Sequence, residues 1–309
     1  MSKVGVITNP TSGSGRGMAW GHQALAELAA RGHQITNLSR GSWEASYEAA
    51  LRERRHLDAL VVVGGDGMVH LGLQVCAEKK LPLGIVAAGS GDDIAHTLGL
   101  PHHDVPAAID RIDAGLAGEI VEIDLGRVSG KGVEMPAAPR YFGAVLSAGV
   151  DAAVAAYARR ITRPRGPAKY KVATARELMR FQPYAVKVSV DGREWTQLCT
   201  LVAVANAPLF GGGLRISPDS SVTDGKLELV LANALSRRDI VRLFPKLNDG
   251  SHANDPRISF VKADKVTIAQ ADGGAALPPA FADGELVGGA PLTIDVVPRA
   301  LRVLGGRTG

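Results

Sequence analysis

The chain has 309 residues, 46% of them hydrophobic and 21% charged, with a formal net charge of +4. That is enough chain to bury two cores, and it suggests two domains. No apolar run is long enough to span a bilayer and Met1 leads almost at once into a strand pattern; a membrane anchor and a signal peptide are excluded from the expectation, which is a cytoplasmic protein.

The first predicted strand, Val4-Gly5-Val6-Ile7, runs into Asn9-Pro10-Thr11-Ser12-Gly13-Ser14-Gly15-Arg16-Gly17, and a helical pattern covers Met18 to Arg31. A second helical segment spans Trp43 to Glu53. The short β-branched run Leu60-Val61-Val62-Val63 has the look of a strand covered on both faces, and it ends in Gly64-Gly65-Asp66-Gly67 before a helix over Met68 to Ala77. Leu83-Gly84-Ile85-Val86 repeats the device, leading into Gly89-Ser90-Gly91-Asp92-Asp93 and a helical turn closed by Gly99. Glycine lets a backbone approach a ligand that a side chain would block, and the helix that follows offers unpaired N–H groups. Each loop alone also reads as an ordinary turn between strand and helix. Three of them along one edge of a parallel sheet lie where open α/β sheets bind ligands. The first loop lacks the Gly-Lys-Ser/Thr of a P-loop and its glycine spacing misses the dinucleotide fingerprint, so neither a standard ATPase nor a dehydrogenase is indicated.

After about residue 120 strands dominate. Val186, Val188 and Val190 alternate with polar residues and meet Asp191-Gly192, a hairpin signal. Further strands are predicted at Leu201 to Ala205, Leu227 to Leu231, Ile258 to Val261, Val266 to Ile268 and Leu292 to Val297, with helices over Tyr170 to Phe181 and Arg237 to Leu247. Cys76 and Cys199 lie among apolar neighbours and read as reduced core residues. The eight histidines show no metal-ligand spacing; His102-His103 and the scattered others read as structural or surface residues.

Asn9-Pro10-Thr11-Ser12-Gly13, Gly64-Gly65-Asp66-Gly67 and Gly89-Ser90-Gly91-Asp92-Asp93, in this order, resemble the diacylglycerol kinase catalytic-domain family, which includes sphingosine kinases and soluble bacterial lipid kinases. Ile123-Asp124-Leu125-Gly126, the stretch from Gly211-Gly212-Gly213 to Asp224-Gly225-Lys226-Leu227, and Asp283-Gly284-Glu285 extend the resemblance over nearly the whole chain. It implies an α/β nucleotide-binding domain over residues 1–120, a β-sandwich over 121–299, an active site in the cleft between them, and a final strand near 300–309 returning to the first domain. ATP is then expected against Asn9, Pro10, Ser12, Gly13, Ser39, Gly64, Gly65, Asp66, Gly67, Met68, Gly89, Ser90, Gly91, Asp92 and Asp93. Asp66 suits Mg²⁺, a hard cation that uses one or two carboxylates beside phosphate, with general base as its competing role. Glu285 matches the position of the proton acceptor, Asp124 that of an acidic network near the site. A second, structural Mg²⁺ is implied at the Asp224 carboxylate with the carbonyls of Ser221 and Lys226. On the residues alone, Asp124, Asp224 and Asp283-Gly284 read equally as turn-forming.

The expected activity is ATP-dependent phosphorylation of a lipid hydroxyl, diacylglycerol to phosphatidate first; a metabolite kinase like the NAD kinases, or a binding module with decayed catalytic loops, are the alternatives. Ser90, Asp92, Met68 and Leu71 depart from the family pattern. Asp92 puts a charge where an amide is usual, which demands a cation or a base such as Arg16 beside it. The basic cluster Arg159, Arg160, Arg163, Arg165, Lys169, Lys171, Arg176 and Arg180, interleaved with Tyr157, Ile161 and Tyr170, fits peripheral contact with anionic lipid at the inner face of the membrane. A solvated helix face is the plainer reading, nucleic acid is not expected, and a homodimer stays open.

Overall fold

The computed structural model describes residues 1–130, 133, 140–163 and 167–307. Four parallel strands form its first part in the order β2-β1-β3-β4: β1 (Lys3–Thr8), β2 (Gln34–Asn37), β3 (Ala59–Gly64) and β4 (Leu83–Ala87). Both β3 and β4 are buried along their whole length, which is why their sequences are apolar at successive rather than alternate positions. Val61 and Val63 pack with α1 (Gly17–Ala30) and α5 (Val105–Leu116) through Leu28, Ile109 and Ile112. Leu60 and Val62 face the other way, toward α2 (Trp43–Glu53) and α3 (Asp66–Cys76), through Ala50, Leu71 and Leu73. The short α4 (Asp93–Thr97) completes this part. α5 is absent from the elements predicted above although Val105, Ile109 and Ile112 recur at helical spacing and are buried; it starts where the Asp104 side chain accepts the Ala107 N–H and Pro106 lies in the first turn.

The second part contains β5 (Ile120–Ser129), β6 (Arg140–Phe142), β7 (Val145–Ser147), α6 (Val150–Arg160), α7 (Pro167–Arg180), β8 (Tyr184–Val190) and β9 (Arg193–Ala205). There follow β10 (Leu209–Phe210), β11 (Leu214–Arg215), β12 (Leu227–Asn233), α8 (Arg237–Leu243), β13 (Ile258–Ala263), β14 (Lys265–Gln270), β15 (Ala280–Ala282), β16 (Glu285–Gly288) and β17 (Leu292–Leu304). Antiparallel pairing runs β16-β15-β7-β9-β8-β14-β17, and β12 joins β9 to β13. The β8–β9 turn is Asp191-Gly192, both at positive φ (47° and 89°), the conformation of the two-residue hairpin. The helix expected through Leu247 ends as an α-helix at Leu243 and goes on as a 3₁₀ turn over Phe244–Leu247, because Pro245 has no N–H to continue the ladder.

Two long strands connect the parts. β17 pairs antiparallel with β14 at Val266 and Ile294, then lies parallel to β4 with Val303 beside Leu83. β5 follows it from Ser129 opposite Thr293 to Ile120 opposite Leu304, with an irregularity between Val297 and Leu301. Arg299 has a φ of 51° there, and the Asp124 carboxylate accepts its N–H at 2.8 Å. A mixed α/β domain and a β-sandwich domain are thus stitched together by one continuous ladder.

Candidate active site

The glycine loops converge. Asn9 N–H bonds to the carbonyl of Val63 at 3.0 Å, drawing the first loop to the end of β3. A Cβ on Gly13 would lie 2.9 Å from the Ala88 carbonyl, and one on Gly65 would lie 2.9 Å from the Gly89 Cα. These separations explain why glycine stands at those positions: the three strand ends are held closer than side chains permit. Ser12 Oγ donates to the Asn9 carbonyl at 2.9 Å, and Asn9 Oδ1 accepts from Thr11, so the first loop is braced by its own polar residues. Ser39, at the end of β2, accepts the Thr8 N–H at 3.0 Å and supports the same edge. Pro10 and Ser90 are exposed on it. Met68 is buried, its Cγ within 2.5 Å of where a Gly64 Cβ would be, so this side chain supports the second loop from the core. Leu71 is fully buried in the same core.

Asp66 opens α3, with its carboxylate at the positive end of the helix dipole. It also crosses to the third loop: Oδ2 accepts the Asp92 N–H at 2.9 Å and Oδ1 the Asp93 N–H at 2.8 Å. Burial, with Asp93 and Asp92 alongside, pushes Asp66 up to about 7 against the opposing effect of those N–H groups. A Cβ on Gly91 would sit 2.5 Å from Asp66 Oδ2, so the loop must be bare at that point. Burial also raises Asp93, whose carboxylate reaches into the second domain to accept N–H groups of Gly212 (3.2 Å) and Gly213 (2.7 Å) in the β10–β11 turn. The Gly211-Gly212-Gly213 segment therefore docks on the third loop, with positive φ at each residue.

Glu285 arrives from the opposite side. β15 and β16 are joined by Asp283-Gly284, φ 50° and 81°, in a tight hairpin turn. The Asp283 side chain is buried and anchors that turn, accepting the N–H groups of Gly143 and Ala144 at 2.9 Å each and contacting His70 Nδ1 of α3 at 3.3 Å. This fixes the adjacent Glu285, whose Oε1 lies 3.3 Å from where a Cβ on Gly67 would be, while Oε2 pairs with Arg159 Nη1 at 3.3 Å. The residue next to Asp66 and the carboxylate of Glu285 thus face each other across the domain boundary.

The remaining predicted residues have other employment. Asp124 is fully buried; besides the Arg299 N–H it accepts the Gly225 N–H at 2.7 Å, and its backbone carbonyl accepts from Asn206. It fastens the interdomain strands and bonds to neither Asp66 nor Glu285. Asp224 is satisfied within the chain: Oδ2 pairs with Lys262 Nζ at 2.7 Å and Oδ1 accepts the Lys226 N–H at 3.0 Å. Ser221 Oγ faces Thr223 at 3.3 Å. The Lys262 ammonium already offsets the Asp224 charge. Asp92 is fully buried, and its charge meets neither Arg16 nor open solvent. Both oxygens accept the Gly89 N–H and Oδ2 lies 2.8 Å from His102 Nε2, while Arg16 lies over the Trp20 ring. Sequence reasoning set His102 and Arg159 apart from the site; the Asp92 departure was the one available signal for the former.

Residues 3–128 match the diacylglycerol kinase catalytic domain model, and residues 144–305 match the YegS C-terminal NAD kinase beta sandwich-like domain. The chain is 35% identical to a diacylglycerol kinase of Mycobacterium tuberculosis (strain ATCC 25618 / H37Rv), over 100% of this chain and 97% of that protein. It belongs to the diacylglycerol kinase family. A Bacillus subtilis (strain 168) diacylglycerol kinase is 26% identical over 87% of this chain and 86% of its own. The fold is shared with a Bacillus anthracis (strain Sterne) crystal structure proposed to be a diacylglycerol kinase, at TM-score 0.76, 19% identity and coverage of 98% of this chain and 94% of that one.

Proposed function

We propose that this family member transfers the γ-phosphate of ATP to a lipid hydroxyl, diacylglycerol being the first substrate to test. The observation that carries this is the approach of Glu285 to Gly67, which sets a proton acceptor opposite the glycine loops and Asp66. Phosphoryl transfer asks a protein mainly for positioning and for charge placed where charge develops. Glycine loops at helix N-termini are the backbone from which phosphate cradles are built; the Gly89 N–H is already held by Asp92, which leaves the rest of the second and third loops for phosphate oxygens. Mg²⁺ fits beside Asp66: three carboxylates crowd there, the Asp66 charge is disfavoured without a cation, and the two N–H bonds leave lone pairs on each oxygen. Bound there, Mg²⁺ would neutralise phosphate charge. Glu285 accepts the proton of the attacking hydroxyl, and Arg159 holds its other oxygen in place.

Substrate class is decided by transfer of labelled γ-phosphate from ATP to a panel of lipid alcohols in mixed micelles. Labelled phosphatidate is expected; label on NAD, or no label, would promote the metabolite kinase or the decayed module.

Anionic lipid is the surface on which this site would work. Arg159 connects Glu285 to α6, and α7 packs on α6 with Tyr170, Val172 and Met179 exposed beside Lys171 and Arg180. No helix among the described residues is long and apolar enough to cross a membrane. Arg165 lies outside the described residues, and Arg159 and Arg176 are partly engaged, with Glu285 and with Glu177 and the Tyr157 ring. Charge reversal at Arg163, Lys169 and Lys171 is expected to weaken co-sedimentation with anionic vesicles by about 10²-fold or more at low salt, each cation being worth about 1 kcal/mol at such a surface. Unchanged co-sedimentation would remove this face from the reading.

A further inference from the structure

Behind the third glycine loop, one donor atom each from Asp92, His102 and His103 lies within 4.8 Å of the other two. We infer that this cluster is a site for a divalent transition metal of the zinc class, separate from the Mg²⁺ expected at Asp66. Imidazole donors exclude Mg²⁺, which takes oxygen ligands, and two histidines with one carboxylate make a familiar three-ligand set for Zn²⁺ with a fourth position left for water.

Details of the cluster support a site built for a cation. His102 Nε2 is buried and 2.8 Å from Asp92 Oδ2, yet it makes no hydrogen bond of acceptable geometry there. A nitrogen and a carboxylate oxygen this close, off the line of a hydrogen bond, are placed as two ligands around a shared point would be. His103 Nε2 lies 2.6 Å from the Gly89 carbonyl. A carbonyl only accepts, so Nε2 carries the proton and Nδ1 carries the free lone pair. A ligating histidine that gives its other N–H to a backbone carbonyl is the usual outer-sphere arrangement around a protein metal. The backbone is fixed as well, since His102 bridges to Ala87 at the end of β4 and His103 N–H bonds to the Ala87 carbonyl at 3.0 Å. His102 stacks on His103 with ring centroids 3.7 Å apart, and His103 stacks on Trp20 at 5.0 Å, so the rings are held before any ion arrives.

Such a metal would also answer the family departure at Asp92. The carboxylate is buried, on a residue whose backbone N–H bonds to Asp66, and a cation beside it removes the charge that would oppose a triphosphate. Gly89 is gripped from both sides of the cluster, its N–H by Asp92 and its carbonyl by His103, so occupancy would stiffen the third loop.

The test is titration of the chelator-stripped full chain with Co²⁺ and, by competition with a chromophoric chelator, with Zn²⁺, in the absence of nucleotide. Expected are one equivalent bound, a visible Co²⁺ spectrum of low coordination number, and no displacement by excess Mg²⁺. Loss of an outer-sphere partner alone costs about 10–100-fold in metal affinity, so His102→Ala and His103→Ala should each weaken Zn²⁺ by about 100-fold or more. His56→Ala, outside the cluster, should not. Circular dichroism and melting of the metal-free variants separate lost ligation from lost folding. No stoichiometric binding, displacement by Mg²⁺, or affinity unchanged in folded His102→Ala and His103→Ala would overturn the inference.

Discussion

Glu285→Gln is expected to lower turnover by about 10²-fold or more while leaving MgATP affinity near that of the parent. The substitution keeps the shape of the side chain and an oxygen for Arg159, 3.3 Å from Oε2, but removes the basicity that takes the hydroxyl proton. The hairpin should survive, because it is Asp283, bonded to Gly143 and Ala144, that fastens it to the rest of the domain. Single-turnover transfer from labelled ATP, together with equilibrium nucleotide binding, separates the two effects. Near-normal turnover in Glu285→Gln, alongside an Asp66→Asn protein that binds MgATP normally yet transfers nothing, would exchange the roles of the two acids.

The nucleotide-facing half of this site was legible because it is local. Each glycine loop follows directly on an apolar strand, so Asp66 at the start of α3 and Asp93 at the start of α4 could be placed from a dozen neighbouring residues. What depends on distant pairing was not legible from the residues alone. Glu285 reaches Gly67 only because β15–β16 is anchored through Asp283 to β6, β7 and α3, and without the family resemblance it read as an acid beside a turn. Arg159 meets Glu285 from 126 residues away. Asp124, read as part of an acidic network, instead finds the N–H of Arg299 at 175 residues' separation, at the irregularity where β17 leaves one domain for the other. His102 and His103 have no metal-ligand spacing because the chain leaves Asp92 through α4 and returns only when His102 bridges to Ala87. The strands were easier than the helices of the second domain: alternation of Val186, Val188 and Val190 marked β8, while α6 carries small and charged residues with only Ala152 and Ala158 buried.

Asp66→Asn is expected to lower kcat/KM by about 10³-fold, at the upper end of what loss of one preorganised charge-stabilising group costs. The fold should tolerate the change, although the Asn amide can accept from only one of the Asp92 and Asp93 N–H groups without turning its own NH₂ on the other. The same substitution has a pH signature opposite to that of a salt-bridged carboxylate. Asp66 is raised from an ordinary carboxylate value to about 7 by burial first and by Asp93 and Asp92 next. Its folded form therefore holds a proton that the unfolded chain releases near the ordinary carboxylate value of 3.8. The stabilisation from that proton is fully present below the unfolded value and is lost as pH rises through about 7. In the absence of divalent ions, the melting temperature of the parent should fall relative to Asp66→Asn as the pH rises from 3.8 to about 7, and the difference should level off above that. Mg²⁺ should recover part of that loss in the parent and none in the variant, because only an ionised carboxylate can bind it. Melting curves of both proteins across this range, with and without Mg²⁺, measure the difference. Parallel pH profiles, or equal Mg²⁺ stabilisation of both, would take the metal away from Asp66.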